Sequence, residues 1–201
     1  MTVAAVILAA GRSTRMGENK MLAKVGGKTL IRRTARLVLG SLCRPVILVT
    51  GHEPDKVREA VLGLDVNIVA NPRFAEGLST SLIAGIGALP EDARAALIFL
   101  GDMPLIRSET VETLLGGFDR APQAGAIVPA HAGEWGNPVL IARKLFPDIA
   151  RLEGDAGARK ILRGRDDVVI VETTDASVLI DTDTPQDLAA LRHRLNRTSP
   201  G

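Results

Sequence analysis

Val3-Ala4-Ala5-Val6-Ile7-Leu8 runs directly into Ala9-Ala10-Gly11-Arg12-Ser13-Thr14-Arg15-Met16-Gly17-Glu18-Asn19-Lys20. Apolar residues in unbroken succession, without alternation, predict a strand buried on both faces. The loop after it is small and basic. Its small residues let the backbone fold closely round a ligand and offer N–H groups to it. Arg15 and Lys20 add fixed positive charge of the kind that holds phosphate oxygens. The loop is not a Walker A motif, because no Gly-Lys-Ser/Thr closes it. Nor is it the dinucleotide Gly-x-Gly-x-x-Gly, because Gly11 and Gly17 stand six apart.

Outward from this stretch, strand and helix alternate. Thr29 to Leu39 has helical periodicity, with Gly40 as a stop. Pro45 to Thr50 is a second strand, and Pro54 to Leu62 a helix with proline in its first turn. Val66 to Ala70 is a third strand. Ser79 to Leu89 reads as a helix with Ser79 as its N-cap. Ala96 to Leu100 is a fourth strand, followed by a helix from Ser108 to Leu115 with an N-cap serine. Beyond it, Ala126 to Pro129 and Val139 to Ala142 read as strands, and Lys144 to Leu152 and Ala156 to Leu162 as short helical stretches. Val168 to Glu172 and Val178 to Asp181 read as late strands, and Pro185 to Leu195 as the last helix. This order predicts an α/β, Rossmann-like three-layer sandwich with a mostly parallel sheet. Ligands of such sheets sit beyond the C-terminal strand ends.

Composition sets the outer bounds. A length of 201 residues fits one domain, expected over 1–197, with a frayed tail at 198–201. Hydrophobic residues at 46% and charged residues at 24% exclude a disordered chain. The single cysteine, Cys43, cannot form an internal disulfide. The apolar run at Val3–Ala10 is too short for a membrane span and has no basic residue before it, so we expect a cytoplasmic protein with no membrane contact. Aromatics make up only 2%, with no tyrosine, which argues against nucleic-acid stacking platforms. Charge is uneven: the first 44 residues hold nine basic side chains and one acid, Glu18, an imbalance suited to an anionic ligand.

Three further strand ends carry polar residues. Gly101-Asp102-Met103-Pro104 places a carboxylate at a strand tip. Magnesium favours one or two carboxylates together with phosphate oxygens and water. Asp181-Thr182-Asp183-Thr184-Pro185 offers a second carboxylate, and position alone does not choose between Asp181 and Asp183. The same segment reads as a helix start, with Asp183 or Thr184 as N-cap and Pro185 at the first turn. Ser79, Thr80 and Ser81 open a helix whose N-terminus suits anions or polar base edges.

Together these blocks resemble the molybdopterin nucleotidyltransferases, and among them the molybdenum cofactor cytidylyltransferases. The resemblance rests on Leu-Ala-Ala-Gly-Arg-Ser-Thr-Arg-Met-Gly (8–17) with Lys20, and on Asn-Pro-x-x-Ala-x-Gly-Leu-Ser-Thr-Ser-Leu (71–82). It also rests on Gly-Asp-Met-Pro (101–104), Gly-Asn-Pro-Val-Leu (136–140), Gly-Asp-x-Gly-Ala-Arg (154–159) and Asp-Thr-Pro-x-Asp-Leu (183–188). It implies a fold of the nucleotide-diphospho-sugar transferase type and transfer of CMP from CTP to molybdopterin, with Mg2+ as cofactor. Catalytic roles fall to Arg15, Lys20 and Asp102. Leu8, Ala9, Ala10, Gly11, Arg15, Lys20, Ser79, Ser81 and Gly101 would bind the nucleotide, and Asp102 and Asp183 the metal. Asn137, Asp155 and Arg159 would face the acceptor. A molybdenum hydroxylase or its maturation chaperone is the implied protein partner. Relatives often carry histidine where this chain has Asn137, a departure that bears on the acceptor. The guanylyltransferase branch begins its loop Leu-Ala-Gly-Gly, so the methyl of Ala10 favours CTP over GTP. A sugar phosphate acceptor on the same fold, or a non-catalytic cofactor carrier, are the competing readings.

Overall fold

The computed structural model describes residues 2–13 and 16–198, with side chains to residue 195. Strand β1 (Thr2–Ala9) lies near the middle of the main sheet, between β4 (Val46–Thr50) and β6 (Ala93–Leu100), and is parallel to both. Strand β5 (Asn67–Ala70) continues the parallel order beyond β4. On the other side, β9 (Val139–Ala142) runs antiparallel between β6 and β7 (Ala126–His131), and β10 (Val168–Glu172) pairs parallel with β7. Short β8 (Glu134–Trp135) folds back on β7. The resulting order is β10-β7-β9-β6-β1-β4-β5, a mixed sheet that is mostly parallel.

The unbroken apolar run in β1 has a direct structural meaning. Successive side chains of a strand point to opposite faces. Ala5, Ile7 and Ala9 pack on one face with α1 (Leu30–Leu39), α2 (Pro54–Ala60) and α4 (Ser108–Arg120), through Ile31, Val57 and Leu114. Val6 and Leu8 pack on the other with α3 (Leu78–Gly87), α5 (Phe146–Ile149) and α6 (Arg159–Leu162), through Leu82, Ile149 and Leu162. Both faces are covered, so the predicted three layers are present. The last helix, α7 (Pro185–Thr198), packs Leu188 and Leu191 on a small hairpin of β2 (Lys24–Val25) and β3 (Lys28–Thr29). Gly26 and Gly27 take the left-handed turn between them.

Several local readings change. Ser79 is not an N-cap: Gly77 holds that position at φ +118°, and the Ser79 N–H donates to the Gly154 carbonyl at 3.1 Å. Ser108 is not one either, since Arg107 precedes the helix. Its opening turn is tied down from a distance, with Asp175 Oδ2 accepting from Arg107 N at 3.1 Å and Thr110 Oγ1 at 2.7 Å. Val178 to Asp181 is no strand; Ala176–Leu179 is a 3-10 turn begun by Asp175, which accepts from Ser177 N. Thr184 does cap α7: its hydroxyl accepts from Asp187 N at 3.1 Å while the Asp187 carboxylate accepts from Thr184 N at 2.8 Å. Thr198 is the last residue of α7, and 199–201 lie outside the described residues. No helix among the described residues is long and apolar enough to cross a membrane.

Candidate active site

A cleft of about 510 Å³ opens at the C-terminal ends of β1 and β6, walled by the start of α3 and by the segment before α7. Leu8, Ala10, Gly11, Lys20, Ser81, Asp102, Asp155 and Asp183 of the predicted set line it. Arg15 lies outside the described residues. Ala9 and Gly101 do not line the cleft. Ala9 is a core residue, and Gly101 N donates to the Leu8 carbonyl at 2.9 Å. A Cβ at Gly101 would stand 2.8 Å from Met21 Sδ and 3.1 Å from the Leu8 carbonyl oxygen, so glycine lets the β6 end lie against β1 and the Met21 turn. Ser79 faces a separate cavity behind α3, with its hydroxyl buried and unpartnered. Ser81, two residues on, accepts from Asn71 Nδ2 at 3.0 Å.

Lys20 occupies the centre of the charge constellation. Its ammonium contacts Asp102 Oδ2 and lies 2.6 Å from Asp183 Oδ1. Burial works against its charge, but the carboxylates of Asp102 and then Asp183 outweigh this and hold the lysine pKa above its ordinary value. The Lys20 backbone is clamped by two residues the sequence reading did not single out. Its N–H donates to Ser13 Oγ at 3.0 Å, and buried Asn19 caps the following 3-10 turn by accepting from Met21 N at 3.1 Å. Asn19 Nδ2 also donates to the His52 carbonyl, tying the loop to the β4 end. An asparagine just before Lys-Met-Leu was a readable cap signal.

Asp181 faces the same cleft. Burial first, then the charges of Asp183 and Asp102, push its carboxyl pKa up. Phe74 and Arg12 form the far wall, with the Arg12 guanidinium 5.5 Å from the Phe74 ring centre. A Cβ at Gly51 would fall 2.5 Å from Phe74 Cβ and 2.8 Å from Ala10 Cβ, so the absence of a side chain there lets the ring settle beside Ala10. Asn137 and Arg159 line two smaller adjoining cavities of about 160 and 190 Å³; the first shares Asp181 with the main cleft, the second Leu8 and Leu100. Arg159 Nη2 donates to the Trp135 carbonyl at 2.7 Å.

The cleft thus presents Asp102, Asp155, Asp181 and Asp183 against Lys20 and Arg12 among the described residues. A polyanion entering it needs added positive charge. Asp102 is 5% exposed and its Oδ1 has no hydrogen-bond partner. No group of three histidine, cysteine or acidic residues among those described is arranged to hold a metal alone. That donor set fits magnesium or manganese, which bind through one or two carboxylates and complete their shell with phosphate and water. It does not fit a closed structural metal site.

The α/β fold, with a mixed, mostly parallel sheet and a cleft at its C-terminal strand ends, is that of the nucleotidyltransferases. The chain belongs to the MobA-like NTP transferase family, whose domain model matches residues 5–169. It is similar to the molybdenum cofactor cytidylyltransferase of Escherichia coli strain K12, at 30% identity over 94% of this chain and 95% of that one. It is equally similar, at 30% over 94% and 96%, to the nicotine blue oxidoreductase of Paenarthrobacter nicotinovorans. Among solved structures, Rv0371c of Mycobacterium tuberculosis H37Rv in complex with manganese superposes with a TM-score of 0.80. The two share 28% identity, over 96% of this chain and 99% of that one. The chain is therefore a nucleotidyltransferase acting on a nucleoside triphosphate and a phosphorylated acceptor, and the manganese is that of the Rv0371c structure.

Proposed function

We propose that this enzyme transfers CMP from CTP to the terminal phosphate of molybdopterin and releases pyrophosphate. The observation that carries the reading is the meeting of Lys20, Asp102 and Asp183 in one cleft beside the β1 loop. The similarity to the Escherichia coli cytidylyltransferase supports the acceptor, and Ala10 in the loop supports the pyrimidine nucleotide. A divalent cation held by Asp102 and Asp183 would neutralise phosphate charge and orient the pyrophosphate as leaving group.

An oxygen of the acceptor phosphate attacks the α-phosphorus, and the bond from that phosphorus to the bridging oxygen of pyrophosphate breaks. The nucleophile is already an anion, so no general base is required. Positioning and charge neutralisation carry the catalysis. Lys20, with Arg15, neutralises charge on the departing pyrophosphate. Ala10 and Gly11 give the triphosphate a close approach to the backbone. Ser81 lies beside the nucleoside, and Asp155, Asn137 and Arg159 lie on the acceptor side. His52, His131 and His193 do not line the cleft, and this mechanism assigns them no catalytic role.

Pyrophosphate release with Mg2+, molybdenum-loaded molybdopterin and CTP, GTP or ATP in parallel tests the reading. Release with CTP alone is expected. Release with GTP instead keeps the reaction and reverses the weight placed on Ala10. Release only when a sugar phosphate replaces molybdopterin reassigns the acceptor.

A further inference from the structure

We propose that Lys20 is the resident counter-ion of the nucleotide-free enzyme: its ammonium excludes divalent metal from Asp102 and Asp183 until a triphosphate draws it away. The inference rests on the metal-ligand reading above and concerns how that site is regulated. One ammonium bridges both carboxylates, touching Asp102 Oδ2 and standing 2.6 Å from Asp183 Oδ1. The side chains of Lys20, Asp102 and Asp183 are 13%, 7% and 23% exposed, so water screens this cluster poorly and each charge is felt strongly by the others.

A dication and an ammonium cannot share two carboxylates at this range without strong repulsion. One must leave. The Lys20 backbone is held by Ser13 and Asn19, so the part free to move is the four-carbon stem. Without nucleotide, the acidic groups left to the displaced ammonium among the described residues of the cleft are Asp155 and Asp181. With nucleotide it gains phosphate oxygens. Metal therefore gains affinity when triphosphate is present, and by linkage triphosphate gains affinity when metal is present. Lys20 would serve as the positioning residue for this coupling as well as a ligand of the phosphates.

Mn2+ titration of the nucleotide-free protein, followed by electron paramagnetic resonance, reads this without turnover. Wild type, Lys20→Met, Lys20→Gln, Asp102→Asn and the double variant Lys20→Met/Asp102→Asn are compared, with circular dichroism melts to confirm folding. Both Lys20 variants are expected to bind Mn2+ at least tenfold more tightly than wild type, and the double variant to lose the gain. Adding CTP should produce the tight site in wild type, where the Lys20 variants have it beforehand. Lys20 variants that bind no more tightly than wild type, with Asp102→Asn still weakening binding, overturn the counter-ion role and leave the metal site standing. Mn2+ binding indifferent to Asp102→Asn overturns the metal-ligand reading itself.

Discussion

Lys20 Nζ stands 2.6 Å from Asp183 Oδ1, although 163 positions separate the two residues. The contact joins the loop after the first strand to the cap of the last helix. It brings the segment before α7 to the end of β6, where Asp102 meets the same ammonium. The charged centre of the enzyme is therefore assembled from three distant parts of the chain.

Asp102→Ala should lower turnover by roughly 10²-fold or more, on the scale of removing one preorganised electrostatic group. The fold should survive, because Lys20 keeps Asp183 as a partner. Pyrophosphate release and far-UV circular dichroism measured side by side check this. Near wild-type rates would remove Asp102 from the metal site.

Lys20→Ala should reduce kcat/KM tenfold or more, corresponding to about 1.5–3 kcal/mol for hydrogen bonds to a charged group. The lysine pKa is raised, so its contribution is fully present below the ordinary lysine value and is lost only as pH rises through the higher value in the folded protein. A kcat/KM profile across neutral pH should show no lysine titration; one that collapsed between pH 7 and 9 through Lys20 would contradict the ion-pair geometry.

Gly77→Ala should be among the most damaging single-methyl changes. Gly77 has φ +118°, and a Cβ there would lie 2.3 Å from the Gly154 carbonyl carbon and oxygen and 2.7 Å from Asp155 N. Both obstacles are backbone, which cannot rotate aside. The 153–157 segment must lift from α3, taking Asp155 out of the cleft. Overpacking and strain of this kind cost about 1–3 kcal/mol each. Denaturant midpoints should fall, and affinity for the acceptor should fall with them.

Gly51→Ala tests the wall formed by Phe74. The added methyl meets Phe74 and Ala10 side chains, so the ring must shift. Nucleotide affinity measured by calorimetry should weaken several-fold, while the fold, judged by thermal melting, loses about 1–3 kcal/mol. Unchanged affinity would separate Phe74 from nucleotide binding.

Asp175 supplies a stability test with a defined pH sign. Burial alone would raise its carboxyl pKa, but hydrogen bonds from Ser177, Thr110 and Arg107 N outweigh it and hold the pKa below the ordinary value. Its stabilisation is present above the unfolded-state pKa near 3.9 and is lost as pH falls through the lower folded value. Asp175→Ala should cost about 1.5–3 kcal/mol at neutral pH. The gap between variant and wild type in urea unfolding should narrow only on acidification below about pH 4.

The elements that were legible in sequence are those whose signal is local. β10 matches its predicted bounds, β1 and β4 lie within a residue of theirs, and Thr184 with Pro185 begins α7 as the cap pattern predicts. The failures have non-local causes. Ser79 looks like a cap, but the Gly154 carbonyl, 75 positions away, takes its N–H and the hydroxyl turns from the cleft. Val178 to Asp181 is apolar enough for a strand, yet Asp175 bends it into a 3-10 turn that locks α4. The hairpin at Lys24–Thr29 did carry a signal, Gly26-Gly27, but its strands are too short for periodicity to show.

By itself the sequence determined the chemistry available: a basic loop after a buried strand, carboxylates at strand ends, and blocks in the order of one enzyme family. Those are properties of contiguous residues, and contiguous residues carry them. Only the tertiary structure decided which groups meet. It set Asp183 against Lys20, placed Asp181 where the cleft meets the Asn137 side cavity, and left Ser79, Ala9 and Gly101 off the cleft lining. The reason is geometric. Groups 82 and 163 positions apart come within hydrogen-bond reach through the strand order and register of the whole sheet, and no single segment encodes that order.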